Sequence, residues 1–108
     1  MTDRVEEEWP LLGKRMFVSR RLLEQDTRPG FVYRELPDND DDSGWRAMVG
    51  DESRAEVDDP GSILLQSVRF MLDRWPALRP VLETDPRLGA WVWDAAAEQF
   101  VPHEDSGP

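Results

Sequence analysis

An acid-rich segment between two short strand patterns is the feature that most restricts how this chain can fold. It reads PDNDDDSGWRAMVGDE, from Pro37 to Glu52, and places four Asp and one Asn ahead of Ser43-Gly44. The stretches FVYREL before it and GWRAMVG after it alternate with the period of two that β-strands show, with Trp45 on one face and Arg46 and Met48 on the other. The pattern predicts an antiparallel pair joined by an eight-residue polar loop.

Helix and strand patterns on both sides extend this pair into a domain. Ser19 stands at the N-cap position of RRLLEQD, a helix of about two turns that follows the strand RMFVS. Asp58-Asp59-Pro60 predicts the start of a second helix. That helix would end before Pro76 and bury residues at helical spacing, namely Leu64, Val68, Met71, Leu72 and Trp75.

The remaining patterns are a shorter helix around ALRPVLET and two closing strands, AWVWDA and EQFVP. The order β-α-β-β-α-β-β predicts an α+β fold. We expect a mostly antiparallel sheet of about five strands, with two or three helices packed on one face.

The length of 108 residues suits a small single domain. We expect its core to cover about residues 14–102, between a frayed acidic N-terminus and a polar C-terminal tail that begins at His103.

The charge and residue usage exclude several classes of protein. Thirteen basic against 23 acidic residues give a formal charge of -10, which repels nucleic acid and anionic membranes and favours a basic protein partner. The chain has no Cys, no apolar run near the roughly 20 residues that span a bilayer, and no signal-peptide pattern at its start. We therefore expect a cytoplasmic protein.

Metal binding and catalysis are weakly supported alternatives. Counted from Asn39, the loop matches the opening of an EF-hand calcium site, but its twelfth position is Gly50 instead of the bidentate Glu that calcium needs. The single His, His103, lies in the tail, so a catalytic triad or His-based metal site has no well-placed member. Acid–base chemistry stays open, because several carboxylates could converge, namely those of Asp42, Asp51, Glu52 and Glu56. With 23 acidic residues among 108, neighbouring carboxylates are nevertheless expected by chance. We predict no catalytic residue, no metal and no cofactor.

Two arginines in the strand patterns leave two interpretations open. Arg34 and Arg46 either face solvent or bind the carboxylates of the acid-rich loop through bidentate ion pairs. The second interpretation explains how a loop of such uniform charge stays ordered.

Several short motifs together resemble a known family. They are Ser19 with Arg20-Arg21, Gly30, Tyr33-Arg34, Pro37-Asp38-Asn39, Asp42-Ser43-Gly44-Trp45-Arg46 and Gly50-Asp51-Glu52. The run D-S-G-W-R followed by G-D-E is the most specific of them. With these motifs, the stretch from Val18 to Pro60 closely resembles a bacterial family of domains of unknown function that is also described as the immunity protein 33 domain of polymorphic toxin systems.

The resemblance implies an inhibitor that binds a toxin domain in the cytoplasm and blocks it by occlusion, without catalysis of its own. An acidic domain would capture a basic toxin, such as a nuclease, through complementary charge. We expect partner contacts among Asp42, Trp45, Arg46, Asp51 and Glu52. Structural roles are expected for Ser19, Gly30, Tyr33, Arg34, Ser43, Gly44 and Gly50.

Within this interpretation the acid-rich loop is a structural corner first, braced by Trp45 and Arg46, and an interface second. The alternative is a regulatory or small-ligand-binding domain with no toxin partner. A toxin gene beside this one would distinguish the two.

Overall fold

The computed structural model describes residues 10–84 and 89–103, so the predicted frayed ends lie outside the described residues, apart from His103. Six strands are present, β1 (Arg15–Ser19), β2 (Phe31–Arg34), β3 (Asp42–Met48), β4 (Ile63–Ser67), β5 (Gly89–Asp94) and β6 (Gln99–Pro102). Four short helices accompany them, α1 (Arg20–Glu24), α2 (Arg54–Asp58), α3 (Val68–Arg74) and α4 (Arg79–Leu82). Single 3-10 turns cover Pro10–Gly13, Pro60–Ser62 and Pro76–Leu78. The predicted α+β class is confirmed.

All six strands join one sheet in the order β4-β1-β3-β2-β5-β6. The predicted mostly antiparallel sheet is confirmed, with six strands where about five were expected and with one parallel pair, β1 with β3. The other neighbours pair antiparallel. The parallel pair arises because the chain leaves β1 through α1 and forms β2 before it returns as β3. β3 therefore runs through the middle of the sheet, with all seven of its residues buried.

The additional strand is β4, and it lies where the sequence predicted the first half of a helix. Asp59 does cap a turn at Pro60, since its carboxylate accepts from the N–H of Gly61 at 3.0 Å, but that turn stops after Ser62. The chain then pairs along the whole of β1. The long helix pattern failed because Ser67 starts a new helix, α3, by accepting from the N–H of Phe70.

The acid-rich loop is also shorter than predicted. β2 stops at Arg34 and β3 begins at Asp42, so only residues 35–41 connect them. The predicted strand pair itself is antiparallel, with Phe31 opposite Met48 and Arg34 opposite Trp45. The predicted closing hairpin around residues 95–98 forms as well, between β5 and β6.

The core lies on one face of the sheet. Alternate strand residues point into it, and α1, α3 and α4 cover it; its buried members include Met16, Val18, Val32, Trp45 and Ala47 from the strands and Leu22, Val68, Met71, Leu72, Val81 and Leu82 from the helices. α2 contributes no buried residue. The opposite face carries the intervening strand residues, such as Phe17, Arg46 and Met48, and those three helices leave it open.

Candidate functional site

The turn between β2 and β3 is fixed by one buried carboxylate. Asp42 accepts from the backbone N–H groups of Asp38 and Gly44, each at 2.8 Å. It also accepts from both terminal nitrogens of Arg46, Nη1 to Oδ1 at 2.9 Å and Nη2 to Oδ2 at 3.1 Å. Both side chains are buried. The acidic loop is thus ordered by the bidentate pair that was one of the two interpretations of Arg46.

This arrangement controls the ionisation of both partners. Burial opposes ionisation of Asp42, but the hydrogen bonds from Arg46, Asp38 and Gly44 outweigh it and lower the pKa of Asp42 to about 2. Burial likewise acts against the charged form of Arg46, yet its bonds to Asp42 and Glu35 raise its pKa. The pair is therefore charged throughout the neutral range.

The EF-hand-like opening of the loop is used for turn formation. Asn39 Oδ1 accepts from the N–H of Asp41 at 2.8 Å, and the Asp42 carboxylate is occupied by Arg46. Across residues 10–84 and 89–103, no three His, Cys, Asp or Glu side chains are grouped in a way that could hold a metal ion.

A second acidic segment follows β3 and is held by different contacts. Glu52 accepts from the N–H groups of Val49 and Gly50, at 2.8 and 2.9 Å. Burial opposes the ionisation of Glu52, but these backbone donors prevail and lower its pKa. Asp51 is exposed and pairs with Arg21 of α1. Arg21 also donates to Glu56 of α2, Nε to Oε2 at 2.8 Å, and so ties α2 to α1.

Two of the predicted structural glycines stand where a side chain would collide with backbone. Gly44 has a φ of +89°, and a Cβ atom there would lie 2.6 Å from the carbonyl oxygen of Glu35. A Cβ atom on Gly30 would lie 2.3 Å from the carbonyl oxygen of Val49. Gly50 also has a positive φ, 114°, at the start of the second acidic segment.

The other predicted structural residues occupy both faces of the sheet. The Ser43 hydroxyl accepts from the N–H of Trp45, and the guanidinium of Arg34 lies over the Trp45 ring, 5.9 Å from its centroid. Tyr33 lies on the open face beside Phe31. Ser19 takes the N-cap position of α1, as predicted, but its side chain makes no capping hydrogen bond. Its hydroxyl is buried near the Glu52 carboxylate and helps to lower the pKa of Glu52.

The five predicted contact residues do not converge on one surface. Trp45 is 1% exposed and packs against Trp91 in the core, with ring centroids 5.3 Å apart. Asp42 and Arg46 are each 5% exposed. Asp51 lies at the surface on the segment after β3, where its neighbour Glu52 is engaged by backbone N–H groups. Of the five side chains, only the carboxylate of Asp51 is well exposed, so the five do not form a surface patch.

The structure does bring together an open groove of about 280 Å³ on the face of the sheet that α1, α3 and α4 leave open. Its lining residues share that face or its rim, and they are Phe17, Tyr33, Glu35, Asp38, Arg46, Met48, Val57 and Ile63. The carboxylates stand at one side and the apolar residues Val57 and Ile63 at the other. Of this set the sequence prediction included Tyr33 and Arg46 among its site residues, and only Arg46 as a partner contact.

The signal that could have found the groove is strand alternation. Phe17 lies between the core residues Met16 and Val18, and Met48 follows the core residue Ala47. A large apolar residue on the face away from the core, in several adjacent strands, is typical of a surface that binds something. Val57 and Ile63 join the groove only through the path of the chain, which no local pattern encodes.

No helix in the part of the chain that the structure describes is long and apolar enough to cross a membrane.

Residues 16–102 match the family model of the Immunity protein Imm33 domain, a range that contains the whole sheet except the first residue of β1. No curated protein and no solved structure matches the chain. The match spans most of the 108 residues and agrees with the motifs around the acid-rich turn. The chain therefore belongs to the Imm33 immunity protein domain family, whose members have an immunity-type role in toxin systems.

Proposed function

We propose that this protein binds a bacterial toxin domain with the open face of its sheet and blocks that toxin by occlusion, acting in the cytoplasm without chemistry of its own. Family membership supports an immunity role. The single observation that carries the choice of surface is the groove, which combines an apolar floor with an acidic rim on the face that α1, α3 and α4 leave uncovered.

The charge of the surface favours a basic partner. Glu35, Asp38, Asp40 and Asp41 are all exposed along the turn at one side of the groove. Across the groove, exposed Asp58 and Asp59 follow Val57 in the chain. In a protein of net charge -10, such a rim accelerates the encounter with a basic protein and repels nucleic acid.

The sequence-predicted contact residues take two different roles in this proposal. Asp42 and Arg46 support the binding surface indirectly, because their buried ion pair fixes the turn that carries the exposed acidic residues. Trp45 supports the same strand from the core. Asp51 is proposed as a direct contact, since its side chain is 71% exposed. Glu52 holds the turn that presents Asp51.

A growth assay tests the proposal. A candidate toxin domain, taken from the genes beside this one in the native host, would be expressed from an inducible promoter, with this protein supplied in trans. We expect the wild-type protein to restore growth, and the purified protein to bind an inactivated form of the toxin in calorimetry. Failure of both, with the toxin domain confirmed to be toxic, would favour the regulatory or ligand-binding alternative.

A matched pair of variants identifies the surface. Val57 lies in the groove and is 43% exposed, whereas Phe70 lies on α3 outside the groove and is 41% exposed. We expect Val57→Lys to lose rescue and Phe70→Lys to keep it, because only the first places a like charge against the basic partner. Rescue retained by Val57→Lys and lost by Phe70→Lys would move the interface to the face that carries α3.

A further inference from the structure

The groove has a chemical character more specific than a general basic-protein surface. Its floor contains two aromatic rings, Phe17 and Tyr33, and the thioether side chain of Met48. Two carboxylates, Glu35 and Asp38, stand at its edge. A ligand that fits this arrangement needs a flat or slender apolar part and a cationic end.

We propose that the groove receives one arginine side chain of the toxin, whose guanidinium lies between Glu35 and Asp38 and whose methylene groups lie along Tyr33 and Met48. The identification of the occupant as toxin rests on the proposed function above. The preference for a guanidinium rests on the groove alone.

The net charge of the groove favours a cation. Among its lining residues, Glu35 and Asp38 carry carboxylates, and Arg46 is the single cation. Arg46 does not offset those two charges, because the buried carboxylate of Asp42 already neutralises it through two hydrogen bonds. With Asp42 included, three carboxylates and one guanidinium leave a net charge of -2 at the groove. An anionic ligand would be repelled.

The contacts of Arg46 itself indicate why a guanidinium fits better than an ammonium. Its guanidinium lies over the ring of Phe17, 4.6 Å from the centroid, and its Nε donates to Glu35 Oε2 at 3.3 Å. A planar guanidinium can stack on a ring and donate in its own plane to a carboxylate at the same time, whereas a lysine ammonium cannot. Elsewhere in the groove, the ring of Tyr33 and the carboxylate of Asp38 could receive a second guanidinium in the way that Phe17 and Glu35 receive that of Arg46.

The carboxylates at the edge have capacity for another donor. Glu35 is half exposed at its side chain and uses one oxygen toward Arg46. Burial raises the pKa of Tyr33, and Glu35 lies close enough to the Tyr33 hydroxyl to add to that rise. The backbone N–H of Asp38 is bound to Asp42, which fixes the position of Asp38 at the rim. No described residue forms an ion pair with the Asp38 carboxylate.

An NMR titration with small probes tests the guanidinium preference in the whole protein. The probe is Nα-acetyl-arginine methylamide, and the neutral isostere Nα-acetyl-citrulline methylamide is its control. We expect the arginine probe to shift the amide signals of Tyr33, Glu35, Asp38 and Met48, with a dissociation constant on the order of 1–10 mM. The citrulline probe should bind about tenfold more weakly, since it loses the charge-assisted hydrogen bonds.

Two double variants with the same change in net charge locate the effect. Glu35→Gln/Asp38→Asn should raise the dissociation constant of the arginine probe about tenfold. Glu24→Gln/Asp73→Asn removes two exposed carboxylates on α1 and α3, outside the groove, and should change binding less than about twofold. Equal weakening in the two variants, or shifts spread evenly over the surface, would overturn the proposal. So would a lysine analogue that binds as tightly as the arginine probe.

The growth assay separates this inference from the proposed function. If the wild-type protein rescues growth and Glu35→Gln/Asp38→Asn rescues equally well, the arginine site is wrong and the immunity function stands. If the probe binds as expected but the neighbouring toxin is neither bound nor neutralised, the groove keeps its guanidinium preference and its assignment to a toxin fails. A third outcome is that the wild-type protein self-associates and that Glu35→Gln/Asp38→Asn abolishes this self-association. This result would assign the groove to a second copy of this chain and overturn the proposal that it receives an arginine of the toxin.

Discussion

The guanidinium of Arg46 donates to both carboxylate oxygens of Asp42, four residues earlier in the same strand, and both side chains are buried. The two residues meet across an irregular part of β3, where the register with β1 shifts and Gly44 has a positive φ. The pair links the end of the acidic turn to the floor of the groove. The order of the rim therefore depends on a contact beneath it.

Removing one member of this pair should destabilise the protein strongly. In Arg46→Ala the carboxylate of Asp42 stays buried with only backbone donors, and we expect the free energy of unfolding to fall by about 3 kcal/mol. Urea unfolding followed by Trp fluorescence measures this. The matched control is Arg15→Ala, because the Arg15–Asp41 pair is 3.6 Å long and more than half exposed. That variant should lose less than about 0.5 kcal/mol.

Limited proteolysis gives an independent readout of the same variant. Residues 37–41 should be cleaved faster in Arg46→Ala than in the wild-type protein, since the turn loses its anchor. Unchanged cleavage of that turn would contradict the anchoring role of Arg46.

The stability of the protein should fall in acid with a component due to Asp42. The pKa of Asp42 is about 2 in the folded protein against an ordinary value of 3.8, so the folded state favours the charged form. This contribution is complete above about pH 4 and is lost as the pH falls through about 2. The difference between the two pKa values corresponds to about 2 kcal/mol.

Urea unfolding at a series of pH values between about 7 and 2 isolates this component. Asp42→Asn should be less stable than wild type at neutral pH and lose less stability on acidification. The control Asp41→Asn changes an exposed carboxylate of the same turn and should keep the full acid-dependent loss. Parallel pH profiles for wild type and Asp42→Asn would contradict this account.

The sequence predicted the parts of the fold that depend on local patterns. Alternation predicted the β2–β3 pair, and Ser19 predicted the position where α1 begins. It missed β4 because Leu64, Val68 and Met71 fit a helical period equally well. The pairing of Ile63–Ser67 with β1 decided the outcome, and that contact is between segments about 50 residues apart, which no local propensity encodes.

The site was less predictable than the fold for a related reason. The motif D-S-G-W-R indicated a structural role for the turn, and Arg46 does hold that turn through Asp42. The same motif cannot reveal that Trp45 points into the core while Arg46 points to the groove until the covered face of the sheet is known. Val57 lies after β3 and enters the groove from α2, a helix that Arg21 ties to α1.

Gly44 should tolerate no side chain. Its φ of +89° strains any L-residue, and the added Cβ would meet backbone, the Glu35 carbonyl oxygen at 2.6 Å. We expect Gly44→Ala to lower the free energy of unfolding by at least about 2 kcal/mol. Gly13→Ala is the control, because Gly13 lacks a positive φ and a Cβ there would meet nothing within 4 Å. A similar loss in both variants would show that the effect is not specific to the turn.

The ion pair between Arg21 of α1 and Glu56 of α2 should keep α2 ordered, and α2 carries the groove residue Val57. Arg21 binds Asp51 and Glu56 together, and these hydrogen bonds raise its pKa. α2 contributes no buried residue, and besides this ion pair the Ser62 hydroxyl donates to the carbonyl oxygen of Glu56. We expect Arg21→Ala to accelerate amide hydrogen exchange across residues 54–58 while exchange in β3 stays slow. Arg20→Ala, which breaks only the exposed pair with Glu24, should leave the exchange of α2 unchanged. If the amides of α2 stay protected from exchange in Arg21→Ala, then α2 is held by contacts other than this ion pair.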